Sequence, residues 1–277
     1  MQSQARTGTQ SVERAIRLLK AVATRGSVGW RLTDLVDACE LDKSTVHRLL
    51  ECLRAERLIE REAATQRFVP GPLIAELSLS TRAYPAFLAA CRSSLGRLAR
   101  ATGGAAFVYL ASGAEFVVAA RVEFRRHSSL LHTVGWRRPL LTSVGGIALL
   151  IGMAEAERQA IVAQNVKALE RAGKHDRVEA LQRMLERSLQ EGFASNLQEA
   201  AHGVHSYAVT VRDRPGRPVA AISIADVAES LPAEQKSSFA GLLREQAALL
   251  EREAVPLLDA VDGAAASRSA LFSAPVQ

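Results

Sequence analysis

The sequence predicts an α+β fold: an N-terminal winged helix-turn-helix domain over residues 10–72, a linker helix over 73–84 and a C-terminal α/β domain over 85–258. Three observations carry this. Residues 32–69 read as helix, tight turn, helix and short hairpin. From residue 85 onward, helix-like stripes and strand-like runs alternate. The 277 residues, with 48% hydrophobic and 23% charged side chains, suffice for two ordinary globular cores.

The first helix spans Ser11 to Ala23, with Val12, Ala15, Ile16, Leu19, Val22 and Ala23 on one face. Gly26-Ser27-Val28-Gly29 ends it. Thr33 is placed to cap the second helix, whose Leu35, Val36 and Cys39 face inward. Glu40-Leu41-Asp42 makes the turn, with Leu41 filling the angle between helices. In the third helix Val46, Leu49, Leu50 and Leu53 fall at i, i+3, i+4 and i+7, so they form one stripe. Ser44, His47, Arg48 and Glu51 lie opposite. Lys43, Ser44 and Thr45 occupy its first turn, where free N–H groups and the helix dipole favour phosphate. Leu58 to Arg61 and Gln66 to Val69 read as two strands around Ala63-Ala64-Thr65.

A helical pair packed on another protein would show the same stripe and polar face. The hairpin after the third helix favours a helix inserted into the major groove of double-stranded DNA. The residues expected to meet DNA are Thr33, Lys43, Ser44, Thr45, His47, Arg48, Arg54 and Arg67. The formal charge of +6 is not concentrated there: residues 1–80 hold 12 Lys/Arg against 10 Asp/Glu, whereas 81–140 hold 9 Arg against 2 Glu. Binding therefore rests on a few placed cations, and its salt dependence should reflect that handful.

Leu73 to about Thr81 forms the linker helix, and a further helix runs from Pro85 to Ala101. Ala105–Leu110 and Phe116–Val122 are predicted strands around a Ser112-Gly113 turn. Thr142–Gly152 is a buried helix. Asp176 and Glu179 suggest a capping box for a helix to Gln190 that Gly192 ends. Phe193–Leu197, Val204–Arg212 and Pro218–Ile224 are strands, the last two joined through Arg214-Pro215-Gly216-Arg217. Pro232 opens a closing helix to about Leu258, and 259–277 is a small, polar tail expected to be disordered. One antiparallel sheet follows from this order.

No apolar run reaches the length of a membrane span, and Met1 to Gln10 lacks the apolar core of a secretory signal and reads as a frayed arm. A cytoplasmic protein is expected. Cys39, Cys52 and Cys91 show no paired spacing, and the first and second of these read as small core residues. His202 and His205 have no carboxylate placed to complete a metal site. No nucleophile motif, phosphate loop or dinucleotide fingerprint occurs. Neither catalytic residues nor a metal or cofactor is expected.

Several strings together resemble the IclR family of bacterial transcriptional regulators. They are Ser11-Val12-Glu-Arg14-Ala15-Ile-Arg-Leu18-Leu19, Lys43-Ser-Thr-Val-His-Arg-Leu-Leu50 and Arg67-Phe-Val-Pro-Gly71-Pro72. Weaker matches continue through Gly135–Leu140, Gly145-Gly146, Glu191–Ala194, Gly203-Val204 and Val219–Ile224. The chain departs from the family at Glu40 and Arg57, where glycines are usual, which suggests altered turns. It departs again at Ile147 and Thr210, near the expected pocket.

The resemblance implies a GAF-like effector-binding domain, a homodimer or dimer of dimers, and an operator with half-sites about one helical turn apart or a multiple of it. It implies a small-molecule effector, an organic acid on this reading, at Ser143, Val144, Gly145, Gly146, Asn196, Ser206 and Ser223. The glycines could instead serve close packing, and the serines could satisfy backbone. Arg121, Arg125, Arg126, Arg137 and Arg138 form a basic set that could attract an anionic effector, face solvent or meet a second protomer. The competing readings are a winged helix fused to an enzyme and one fused to a protein-interaction module.

Overall fold

The computed structural model describes residues 9–79, 83–124 and 133–258, and the chain forms two compact units that divide between Thr81 and Arg82. The expected N-terminal arm up to residue 8, the tail from 259, part of the linker, and Arg125 and Arg126 lie outside the described residues.

In the first unit, α1 (Gln10–Ala23), α2 (Leu32–Cys39) and α3 (Lys43–Ala55) close on one core of Leu18, Val22, Leu35, Val46, Leu50 and Phe68. The buried stripe of α1 runs through Ala15, Leu18, Leu19 and Val22. Val12 and Ile16, predicted to face inward, are 61% and 45% exposed. Leu18 takes the core position because the long side chain on that face meets α2 and α3.

Arg31, not Thr33, stands at the N-cap of α2, and the Thr33 hydroxyl donates to the Asp34 carboxylate from inside the first turn. At α3 the cap is Asp42. Its Oδ1 accepts the Thr45 N–H at 2.8 Å and the Ser44 hydroxyl at 2.6 Å.

Both helices of the pair end the same way. After α2, Leu41 N donates to Val36 O and Glu40 N to Asp37 O. After α3, Leu58 N donates to Leu53 O and Arg57 N to Arg54 O. Each pair of bonds is a Schellman termination, which needs a left-handed residue at its corner. Glu40 (φ 51°) and Arg57 (φ 59°) supply it. The turns thus keep glycine's geometry without glycine, in contrast to the altered turns expected.

The wing consists of β1 (Ile59–Arg61) and β2 (Phe68–Pro70), paired antiparallel with Glu60 opposite Val69, and Trp30 bridges Phe68 on the far side. Next comes α4 (Pro72–Ser78), with Pro72 in its first turn. Of the two helix-turn-helix cysteines, Cys39 is buried and Cys52 is exposed, so only the first is a core residue.

The second unit is one six-stranded antiparallel sheet with helices on both faces. Its elements are α5 (Ala83–Thr102), β3 (Ala105–Ser112), β4 (Glu115–Glu123), β5 (Arg137–Pro139), α6 (Val144–Gly152), α7 (Glu155–Arg171) and α8 (His175–Glu191), then β6 (Ala194–Leu197), β7 (Val204–Arg212), β8 (Pro218–Val227) and α9 (Lys236–Glu253). The strand order is β5-β4-β3-β8-β7-β6. Strand alternation divides the side chains between two cores. On one face Ala106, Val108, Tyr207, Val209, Ile222 and Ile224 pack with α5 and α9. On the other, Phe107, Tyr109, Phe116, Ala208 and Ala221 meet apolar residues of α6, α7 and α8.

The sequence reading omitted α7 and β5. Along α7 only Asn165 and Leu169 are buried, so no continuous apolar stripe marks it. The predicted capping box at Asp176 and Glu179 does not form. Lys174 stands at the N-cap with no side-chain cap bond, and Glu179 pairs with Arg183. Gly192 does end α8, at φ 69°. Pro232 precedes a short 3₁₀ turn, Ala233–Gln235, rather than opening α9 directly. No helix among the described residues is long and apolar enough to cross a membrane.

Candidate nucleic-acid interface and ligand cavity

The polar face of α3 sorts its residues by what they already hold. The side chains of Lys43, His47 and Arg48 are exposed and make no hydrogen bond or ion pair among the described residues. Ser44 is tied to Asp42 through its hydroxyl, and the Thr45 N–H is the cap donor. These bonds hold the Asp42 carboxyl far below the usual carboxylate range. They also leave one fewer free amide at the end of α3 for phosphate.

Arg54 is engaged by Glu51 at 2.7 Å, and Arg57 by Glu76. Arg67 reaches back to the carbonyls of Val28 and Gly29 at 3.3 and 3.4 Å, so it clamps the wing to the loop before α2. Thr33 is exposed on α2. The cations without prior engagement among the expected DNA contacts are therefore Lys43 and Arg48, on one helix five residues apart.

In the second unit a cavity of about 420 Å³ lies between the sheet and the segments bearing α7 and α8. Phe107, Tyr109, Phe116 and Trp136 give it an aromatic wall. The Tyr109 ring meets Phe116 edge-on, with centroids 5.3 Å apart. Burial pushes the Tyr109 phenol far above its ordinary pKa, against the lowering effects of the Ser223 hydroxyl and Arg121. It therefore stays a neutral hydroxyl.

Among the described residues the charged lining consists of Arg138, Lys174 and Arg177, with no Asp or Glu. Arg138 stacks over Trp136 at 4.4 Å. Burial, and then the charge of Arg177, lower its pKa, which means its cationic form is short of compensation. Arg177 donates to the Ala200 carbonyl at 2.8 Å.

Of the seven positions expected to meet effector, Ser143, Val144, Asn196 and Ser206 line the cavity. Gly145, Gly146 and Ser223 do not. The glycines are there for packing. A Cβ on Gly145 would stand 2.3 Å from the Tyr109 ring, and one on Gly146 would stand 2.1 Å from the Leu140 carbonyl oxygen. The Gly146 N–H is already bonded to the Ser143 hydroxyl at 3.1 Å, so it is not free for a carboxylate. Ser223 sits on β8 opposite Phe107 and beside Tyr109.

Asn196 is structural as well as lining. Its amide donates to Val204 O and accepts from Ala200 N, which shapes the loop on that side. Ser206 has no such engagement among the described residues.

The basic set also separates. Arg121 pairs with Glu123, and Arg137 holds Glu115 and the Ser112 hydroxyl. Arg138 alone of the described members reaches the cavity. Lys174 and Arg177 carried no signal in the sequence, because they gain meaning only once α8 is seen to start at the rim. Ile147 is fully buried in the core and Thr210 donates to the Ala148 carbonyl at 2.5 Å. Both departures from the family pattern are thus packing features, and neither lines the cavity.

Comparison with known proteins gives a consistent result. Residues 87–252 match the model described as bacterial transcriptional regulator IclR C-terminal, and residues 11–63 match the IclR helix-turn-helix domain. The HTH-type transcriptional regulator XynR of Escherichia coli is 24% identical over 88% of this chain and 96% of its own. An IclR family transcriptional regulator from Brucella abortus has a similar structure, with TM-score 0.69 and 19% identity over 90% of this chain and 94% of its own. An IclR homolog from Microbacterium hydrocarbonoxydans, complexed with 4-hydroxybenzoate, aligns with TM-score 0.64 and 20% identity over 91% of this chain and all of its own.

Proposed function

This chain belongs to the IclR family of bacterial transcriptional regulators, and from that premise we propose that a small organic acid controls its binding to operator DNA. Its relatives carry the names of regulators, not of enzymes. The observation that carries the acid reading is the cavity: its aromatic wall suits an apolar body, and its charged lining among the described residues is all cationic. A Microbacterium relative complexed with 4-hydroxybenzoate, an aromatic acid, supports the same reading.

On the DNA side, α3 lies in the major groove, with Lys43 and Arg48 as the principal cations and Ser44, Thr45 and His47 beside them. Arg54, Arg67 and Thr33 play lesser parts, being engaged elsewhere or set on α2. The protein acts in the cytoplasm as a homodimer or dimer of dimers, whose symmetry matches paired half-sites. Effector and operator sites are linked by a coupling free energy, ordinarily about 1–3 kcal/mol.

The test is gel retardation of the DNA upstream of the protein's own gene, with and without acids that raise its melting temperature. A five- to 150-fold change in operator affinity, roughly the range of such couplings, is expected. No retardation at any protein concentration, or retardation that no stabilising acid alters, would remove the proposal.

A further inference from the structure

Resting on the acid-effector reading above, we propose that the ligand carries two negative charges, held jointly by Arg138, Lys174 and Arg177. The charge count at the cavity is the starting point. Several partly buried cations elsewhere in this unit have carboxylate partners: Arg137 with Glu115, Arg187 with Glu199 and Lys236 with Glu191. The three cavity cations have none among the described residues. Arg138 rests on the Trp136 ring, the Arg177 guanidinium holds one backbone carbonyl, and the Lys174 ammonium makes no hydrogen bond among the described residues.

Three positive charges around one partly enclosed space, without an acid among the described lining residues, repel one another. One carboxylate would leave two of them uncompensated. A second negative charge brings the site close to neutrality, and the bidentate geometry of arginine suits oxyanions.

The three cations also come from two separate elements. Arg138 lies on β5, while Lys174 and Arg177 straddle the start of α8, a 17-residue helix with no side-chain cap. A ligand that spans both ties the edge strand to the helix. The start of α6 offers less, because Ser143 already occupies the Gly146 amide. The chemistry required is two anionic charges on a ring-sized body. A dicarboxylate and a phosphomonoester both meet it.

The experiment is titration calorimetry on the full chain at fixed ionic strength. The probes are benzoate, the three benzenedicarboxylates, phenyl phosphate and neutral benzyl alcohol. At least one dianion should bind about tenfold or more tighter than benzoate. A benzenedicarboxylate that leads identifies the dicarboxylate source, and a leading phenyl phosphate identifies the phosphoester.

Arg138→Gln and Arg177→Gln should each bring that dianion down toward benzoate, while Arg138→Lys, which keeps a charge over Trp136, should retain most of the preference. Circular dichroism of each variant separates lost binding from lost folding. Benzoate binding as tightly as every dianion overturns the two-charge proposal and leaves the acid reading standing. Preference for benzyl alcohol, or no binding by any anion, overturns both. A dianion preference unchanged in every folded variant overturns the assignment to these three residues.

Discussion

Replacing Glu40 with glycine should stabilise the winged-helix unit by about 1 kcal/mol. The corner residue of the α2 termination must be left-handed, and Glu40 occupies φ 51° and ψ 44°. A side chain in that region costs roughly 1–2 kcal/mol from the contact between Cβ and carbonyl oxygen, whereas glycine bears no such cost. Glycine's larger unfolded-state entropy returns part of the gain, roughly 0.5–1 kcal/mol. The Glu40 side chain is exposed and holds no partner among the described residues, so its loss adds nothing.

Arg57 provides the control. It has the same geometry at φ 59°, but its guanidinium pairs with Glu76. That pair is half-exposed on both sides and contributes about 0–1 kcal/mol, so Arg57→Gly should gain less than Glu40→Gly. Trp30 lies in this unit and Trp136 in the other. Urea or thermal unfolding followed by fluorescence in a Trp136→Phe background therefore isolates the transition of interest. For a unit of this size 1 kcal/mol corresponds to roughly 4–8 °C in melting temperature. No rise for Glu40→Gly, or a larger gain at Arg57, would refute the argument from backbone strain.

Further outcomes follow from the same geometry. Arg48→Ala should weaken specific operator binding by about 1–3 kcal/mol in gel retardation, while Arg54→Ala, whose side chain Glu51 already engages, should cost less. Gly145→Ala drives a methyl group into the Tyr109 ring and should destabilise the second unit by about 1–3 kcal/mol, with ligand affinity falling alongside in calorimetry.

Asp42 has a folded-state pKa below its unfolded value. Its stabilising effect is therefore present above the ordinary aspartate value of about 3.9 and is lost as pH falls through the lower, folded value. Acid titration of unfolding should show this loss, and Asp42→Asn should flatten that part of the profile.

Much of the fold was legible because apolar spacing reports directly which face is buried. The stripe at Val46, Leu50 and Leu53 located α3, and alternation located β3, β4, β7 and β8. What escaped was set by tertiary context. On α1 two apolar stripes compete, and only packing against α2 and α3 chose Leu18 over Val12. Helix α7 buries too little to announce itself. The cap at Asp42 was read as part of the turn, although an aspartate three residues before Thr45 is a common N-cap signal.

At the candidate site, the expected segment contributes Ser143 and Val144 to the cavity lining, while its glycines pack against Tyr109 and Leu140. The cations at the cavity are scattered along the chain at 138, 174 and 177, so no local pattern joins them.

The pairing of β3 with β8 has a consequence for how the chain is made. Ala105 bonds beside Ala225 and Tyr109 beside Ala221, so the centre of the sheet joins segments more than a hundred residues apart. A contact of such long range forms slowly and cannot form before residue 225 has been synthesised. The winged-helix unit ends at residue 81, and its buried core is built from residues between Leu18 and Phe68. On the ribosome the reading head can therefore fold while the cavity's floor is still missing its partner strand. A nascent or truncated chain would then hold a folded helix-turn-helix without an assembled pocket to govern it.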